Sequence, residues 1–108
     1  MAFGSDFPVE SPNPLLGLYA ARTRMDAQGS PAGGWQPDQR LSGQDALAGF
    51  TLGAAYAVGE EAERGQLGLG FRADLTILSV DPIHCAPEAL LSAQVTMTII
   101  DGEVVYQD

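Results

Sequence analysis

The hydrophobic pattern of this chain changes from a helical period to a strand period near its middle, and this change limits the folds open to it. Between residues 12 and 59 apolar residues recur at helical spacing, with one loop between two helical segments. From residue 67 onward the pattern favours strands. The sequence therefore predicts an α+β fold, with two or three helices beside a small, mostly antiparallel sheet.

The first predicted helix begins at Pro14, because proline suits the first helical turn and Asn13 can serve as the N-cap. Gly29 is predicted to end it, and glycines and prolines make residues 28–39 a loop. Its buried face is predicted to contain Leu15, Leu18, Tyr19 and Met25.

The second helix is predicted to begin after Ser42, where Asp45 three residues later resembles a capping box. Two interpretations of its continuation remain open. Gly49 and Gly53 lie four residues apart, which would allow another backbone to approach closely. Alternatively, the chain breaks into two short helices near Thr51. The predicted buried stripe consists of Ala46, Leu47, Phe50, Ala54 and Ala57.

The second half of the chain is predicted to form three strands. Residues 73–80 are rich in leucine and β-branched residues, and residues 87–91 are typical of one or two helical turns. Two further strands, 94–100 and 103–107, flank Asp101-Gly102. This dipeptide is the favoured turn of a type I′ hairpin, because both central positions need a positive φ.

The charge balance excludes some classes of function. With 14 acidic and 5 basic residues the net charge is −9, which disfavours binding to nucleic acids and to anionic membrane surfaces. No apolar stretch approaches the roughly 20 residues of a membrane span. The single cysteine cannot form an intramolecular disulfide. We therefore expect a soluble, cytoplasmic protein.

Three residues are the natural candidates for chemistry. Asp6 follows a short apolar segment and precedes a proline-containing loop, as carboxylates at the ends of barrel strands do, although an aspartate there also commonly caps a turn. His84 is the only histidine and has no partner at metal-ligand spacing. Cys85 is its neighbour, and adjacent strand residues point to opposite faces, which disfavours a catalytic dyad.

Segments in order along the whole chain resemble the amidohydrolase superfamily, in the branch that includes N-substituted formamide deformylase. The matching segments are residues 4–10, 13–21, 34–41, 51–57, 65–78 and 102–106. The resemblance implies that residues 1–60 contain the end of the eighth strand of a (β/α)₈ barrel and the helices after it. It also implies that residues 61–108 are the carboxyl-terminal part of an accessory β-domain.

By the same resemblance, Asp6 is a metal ligand and the general base in a complete enzyme that holds a divalent metal, zinc, and hydrolyses a small amide-type substrate. The other ligands lie on earlier strands, so the isolated chain is expected to bind no metal and to be inactive. Met1 falls where the eighth strand should already have begun, so we expect a fragment that exposes apolar surface and self-associates. The alternative is a stand-alone, non-catalytic structural or interaction module.

Overall fold

The structure is a computed structural model that describes residues 1 to 108. It confirms the α+β class: three short helices precede a three-stranded antiparallel sheet. The helices are α1 (Pro14–Thr23), α2 (Gly43–Phe50) and α3 (Leu52–Ala57). The strands are β1 (Leu75–Leu78), β2 (Val95–Ile100) and β3 (Glu103–Gln107). Two short 3-10 helices span Pro37–Gln39 and Pro87–Leu91. The longest helix, α1, has 10 residues, which is well below the roughly 20 that a membrane-spanning helix needs.

Helix α1 begins as predicted but ends earlier. The Asn13 side chain accepts a hydrogen bond of 3.0 Å from the amide two residues on, which confirms it as the N-cap. The predicted end at Gly29 is wrong, because the helix stops at Thr23. Arg24 takes a left-handed conformation and its amide donates to the Ala20 carbonyl at 2.7 Å, which closes the last turn.

Helix α2 has the predicted cap, and the break near Thr51 is present. The Ser42 hydroxyl accepts from the Asp45 amide at 3.1 Å and donates to the Asp45 carboxylate at 2.7 Å. Thr51 leaves helical geometry, with φ −118° and ψ −86°, and separates α2 from α3. Its hydroxyl donates to the Leu47 carbonyl at 2.9 Å, which satisfies one carbonyl at the helix end.

The close approach of another segment at Gly49 and Gly53 is present as well. Both interpretations of this region are therefore correct at the same time. A side chain at Gly49 would meet the ring of Phe3, and one at Gly53 would meet the backbone of Met1. The Phe3 amide donates to the Gly49 carbonyl at 2.9 Å. The amino-terminal segment therefore lies directly on α2 and α3.

The break changes which residues of this region are buried. Ala46 is completely buried, as predicted. Beyond the break, Ala55 is buried, whereas Ala54 is only half-buried and Ala57 is exposed. The prediction for the last two alanines is wrong because it extended one helical phase across Thr51, where the axis is interrupted.

The sheet has the order β1-β2-β3, and its hairpin is confirmed. Asp101 and Gly102 have φ values of 51° and 84°, as a type I′ turn requires. Strand β1 is shorter than predicted. Before it, the Ala73 carbonyl accepts from the Gly102 amide at 3.0 Å, and the Asp74 carboxylate accepts from the Asp101 amide at 2.8 Å. These two residues therefore bind the hairpin turn and do not extend the ladder.

The hydrophobic core lies between α1, α2 and the 3-10 helix Pro87–Leu91. Its buried members are Leu15, Leu18, Tyr19, Ala46 and Leu90. Arg22 connects this region to the second half of the chain, because its guanidinium donates to the Pro82 carbonyl at 3.1 Å and to the Cys85 carbonyl at 2.8 Å. In contrast, every residue of β3 is exposed.

Candidate functional site

Asp6 lies in an exposed turn at the amino-terminal end of the chain. Residues 1–5 form no strand, and Asp6 has a φ of 52°. The turn is closed by the backbone, since the Val9 amide donates to the Asp6 carbonyl at 2.9 Å. The Asp6 residue is exposed, and its carboxylate makes no hydrogen bond within the chain. The predicted arrangement at the end of a barrel strand stays a prediction.

The segment that carries Asp6 is held by aromatic packing. Phe3 and Phe50 form an edge-to-face pair with ring centroids 5.4 Å apart and an interplanar angle of 65°. Together with the Phe3 backbone hydrogen bond, this contact fixes the chain three residues before Asp6. The backbone that leads into the Asp6 turn is thus anchored on α2.

His84 and Cys85 lie in a turn and not on a strand, in contrast to the strand geometry used in the prediction. The His84 ring nitrogen Nδ1 lies 2.8 Å from the Asp81 carboxylate on the protein surface. This hydrogen bond, helped by the amides of Ile83 and His84, holds the pKa of the Asp81 carboxyl below its ordinary value. The His84 ring is thereby oriented by Asp81.

The Cys85 sulfur is half-buried and makes a different contact. The sulfur accepts a long hydrogen bond of 3.6 Å from the Arg22 guanidinium. The same guanidinium also donates to the backbone carbonyls of Pro82 and Cys85. Neither His84 nor Cys85 hydrogen-bonds to Asp6. The structure therefore does not assemble these three residues into one catalytic group.

The metal-ligand chemistry of the chain is sparse. No group of three histidine, cysteine, aspartate or glutamate side chains is close enough to hold a metal ion. Metal sites in proteins commonly need three or four such ligands. Asp6 alone, or the surface pair Asp81 and His84, falls short of that number. The residues of this chain by themselves do not fit a catalytic metal centre.

Two concave surfaces were not predicted from the sequence. One, which we call the loop cavity, is a space of about 620 Å³ between residues 4–14, helix α1 and residues 25–27. The other, which we call the sheet groove, has about 910 Å³ and lies between α2, α3 and β1. Both arise from the packing of segments distant in sequence, and no local motif signals them.

The fold alone does not identify the protein family, but comparison with known proteins does. A profile of the amidohydrolase family matches residues 1–106 of the chain. The chain therefore belongs to the amidohydrolase family. The resemblance seen in the sequence motifs is confirmed.

Curated relatives match almost the whole chain. The putative amidohydrolase YtcJ of Bacillus subtilis (strain 168) is 33% identical over 106 residues, covering 98% of this chain and 20% of the relative. N-substituted formamide deformylase of Arthrobacter pascens is 32% identical over 107 residues, covering 99% and 19%. The protein LONG AFTER FAR-RED 3 of Arabidopsis thaliana is 35% identical over 106 residues, covering 98% and 18%.

The chain spans about a fifth of the length of these relatives. No solved structure matches it significantly. These matches establish the family, and they support the conclusion that the chain is related to hydrolases.

Proposed function

We propose that this chain is the carboxyl-terminal part of a metal-dependent hydrolase that acts on non-peptide carbon–nitrogen bonds, and that the isolated chain is inactive. One observation carries the proposal. Almost the entire chain matches N-substituted formamide deformylase, yet it corresponds to only 19% of that protein. A small amide-type molecule is the proposed substrate of the complete enzyme.

The division of the chain into two parts belongs to the same proposal. Residues 1–60 would contain the end of the eighth barrel strand and the helices after it, and residues 61–108 would be part of the accessory β-domain. All three α-helices precede residue 60 and all strands follow it, which supports this boundary. The Arg22 contacts to Pro82 and Cys85 would then join the two parts.

Asp6 is the residue of this chain that we assign to the reaction, as a metal ligand and general base. Its exposed carboxylate is free of the hydrogen bonds that would tie it to its own turn. The divalent metal, proposed to be zinc, would lower the pKa of a bound water molecule. Its remaining ligands would come from residues outside this chain, since no three histidine, cysteine, aspartate or glutamate side chains of this chain lie close enough together to hold a metal ion.

The sheet groove supports the proposal that the chain is one part of a larger assembly. Three apolar side chains lie exposed along it: Val58 directly after α3, Leu67 in the following loop and Ile77 in β1. Exposed apolar surface of this extent favours association. We propose that isolated chains self-associate in a cytoplasmic setting. Size-exclusion chromatography with light scattering tests this, and a sharp monomer peak at high concentration would count against it.

The first test of the function uses the isolated chain. Metal content is measured by elemental mass spectrometry after purification without chelator, together with hydrolysis of an N-substituted formamide. We expect no stoichiometric metal and no hydrolysis. Stoichiometric zinc with turnover would show that the ligands of this chain suffice, and the inactive-fragment proposal would be abandoned.

The second test places the chain in a complete relative. The homologous 107 residues of the Arthrobacter deformylase are replaced by this chain. We expect the chimera to retain hydrolysis and bound metal. Asp6→Asn in the chimera should lower kcat by about 10² or more, since general-base catalysis contributes roughly 10²–10⁴. Asp38→Asn, an exposed carboxylate in the 3-10 helix Pro37–Gln39, is the matched control and should leave kcat unchanged.

A chimera whose activity survives Asp6→Asn would remove Asp6 from the catalytic machinery while leaving family membership intact. The alternative function, a stand-alone structural or interaction module, would be favoured if the chimera folds, binds metal and yet has no hydrolytic activity. The exposed sheet groove is the feature that such a module would use.

A further inference from the structure

The loop cavity has the dimensions and lining of a small-molecule site. Its volume of about 620 Å³ falls within the roughly 300–1,000 Å³ of typical ligand pockets. Leu16, Met25 and Phe50 belong to its apolar lining. Gly17 lets the tip of the Phe50 ring approach α1, because a side chain there would lie 2.5 Å from the ring.

Tyr19 gives this cavity an unused polar group. The residue lines the cavity and keeps only 3% of its surface exposed. Its backbone carbonyl accepts from Thr23, but its hydroxyl makes no hydrogen bond within the chain. The hydroxyl is also not among the side-chain atoms sealed from solvent. The Tyr19 hydroxyl thus has no partner in the chain and is accessible, so it is free to hydrogen-bond to a ligand that enters the cavity.

The charges around the cavity select the kind of ligand. Glu10 and Asp26 both line it, and no lysine, arginine or histidine does. The Asp26 oxygen Oδ1 accepts from the amides of Gln28 and Ser30 at 2.9 Å, which leaves Oδ2 free. The half-buried ring of Phe50 adds aromatic surface, which also attracts cations.

The amino terminus of α1 opposes this charge only weakly. A helix terminus carries roughly half a positive charge, and here the Asn13 side chain already accepts from the α1 backbone. Two full carboxylate charges outweigh it. The net potential of the cavity is therefore negative, as is that of the chain as a whole, whose net charge is −9.

We propose that the loop cavity binds a small organic cation, an ammonium group on an aryl or alkyl body. The body packs against Leu16, Met25 and Phe50. The ammonium group pairs with Glu10 and Asp26, and Tyr19 provides the hydrogen bond that orients it. The proposal concerns binding by this chain alone and does not depend on Asp6 or on hydrolysis.

The test measures binding of phenethylamine to the full chain, by calorimetry and by shifts of backbone amide signals in NMR spectra. Its neutral isostere 2-phenylethanol is titrated in parallel. We expect phenethylamine to bind about tenfold more tightly or better, with the amide shifts confined to the residues of the cavity. In the double variant Glu10→Gln/Asp26→Asn this preference should disappear. Asp38→Asn, which removes an exposed charge outside the cavity, should preserve it.

Tyr19→Phe tests the hydroxyl. Loss of one hydrogen bond should weaken binding of both probes by about three- to tenfold. Should that variant fail to fold, Ala20→Leu replaces it, because Ala20 is an exposed residue of α1 that lines the cavity. The added side chain should reduce binding of both probes while leaving the unfolding transition in place.

Three results would overturn the proposal. They are equal affinity for the amine and the alcohol, amide shifts outside the cavity, and an equal effect of Asp38→Asn and the Glu10/Asp26 double variant. Each can occur whether or not the deformylase chimera is active. Failure of this binding site and failure of the proposed catalytic role can therefore be distinguished.

Discussion

The two halves of the molecule are stabilised in different ways. In the helical core, Leu18 keeps 2% of its surface exposed and packs with residues of α1, α2 and the 3-10 helix Pro87–Leu91, which the chain forms between β1 and β2. In the sheet, Val105 is 56% exposed and its whole strand is open to solvent on both faces. Helices as short as these depend on tertiary packing, whereas the hairpin depends on its turn and its ladder of backbone hydrogen bonds.

This difference shows which region of the chain has covered side chains and which has not. The helical core is closed around Leu90 of the 3-10 helix, which is 1% exposed. Three-stranded sheets usually need a covered face for independent stability. Here only β1 and β2 are partly covered. The comparison predicts that equivalent substitutions have unequal effects in the two halves.

The largest expected effect is that of Leu18→Ala. Removal of this buried side chain should lower the free energy of unfolding by about 2–5 kcal/mol. Val105→Ala in β3 should lower it by less than about 1 kcal/mol, since that side chain is already exposed. Urea unfolding followed by circular dichroism measures both. Equal losses would show that β3 is covered in solution. They would contradict the difference in side-chain burial between Leu18 and Val105.

The junction between the halves is tested by Arg22→Ala. The variant loses both backbone hydrogen bonds to the turn at residues 82–85, and the free energy of unfolding should fall by about 1–3 kcal/mol. Arg40→Ala is the matched control. Arg40 also donates to two carbonyls, those of Pro37 and Gly33, but it is exposed and lies within one loop. Its loss should cost about 0.5 kcal/mol or less.

Amide hydrogen exchange shows which elements the Arg22 contact stabilises. If Arg22 couples the halves, Arg22→Ala should increase exchange in β1 and β2 as well as in α1. A change confined to α1 would mean that the sheet holds its place without this contact.

The hairpin turn is tested by Gly102→Ala. The position has a φ of 84° and no neighbouring atom within 4 Å, so the cost is conformational and not steric. We expect a loss of about 1 kcal/mol. Gly4→Ala is the control, because Gly4 is equally open but has no positive φ. A loss no larger than that of the control would show that the turn contributes little to the stability of the sheet.

The smallest effect concerns Asp81 and pH. Because its pKa is depressed, the carboxylate contributes stability that is present above its unfolded-state pKa and is lost as pH falls through the lower folded-state pKa. In His84→Ala the main cause of the depression is gone, so the pKa of Asp81 should move back toward its ordinary value. An NMR titration of the Asp81 carboxyl follows this. An unchanged pKa of Asp81 in this variant would show that the backbone amides of the turn, and not the His84 side chain, lower it.

Several features of the fold could be predicted from short stretches of sequence. Asn13 and Ser42 cap their helices as predicted, and Asp101-Gly102 makes the expected type I′ turn. Each depends on the hydrogen bonds or φ values of only two to four residues. The family could likewise be predicted, because its matching segments occur in order along the chain.

The candidate site could be predicted only in part. Asp6 was selected from the motif of residues 4–10 alone. No local rule predicts that this segment packs against Phe50 and α2. The loop cavity was missed entirely. Its acidic residues, Glu10 and Asp26, are separated by 15 intervening positions and have no helical or strand relation.

The sequence by itself determined the class of fold, the helix starts, the hairpin and the family, because these depend on local backbone chemistry and on motif order. Only the tertiary structure decided that α1 ends at Thr23, that Ala55 is buried while Ala57 is exposed, and that Arg22 connects the halves. The Arg22 contact joins groups 60 and 63 positions apart, whereas the first two outcomes follow from the backbone conformations of Arg24 and Thr51, which the residue pattern alone did not fix. A single residue such as Thr51 interrupts the helix and changes the phase of everything after it.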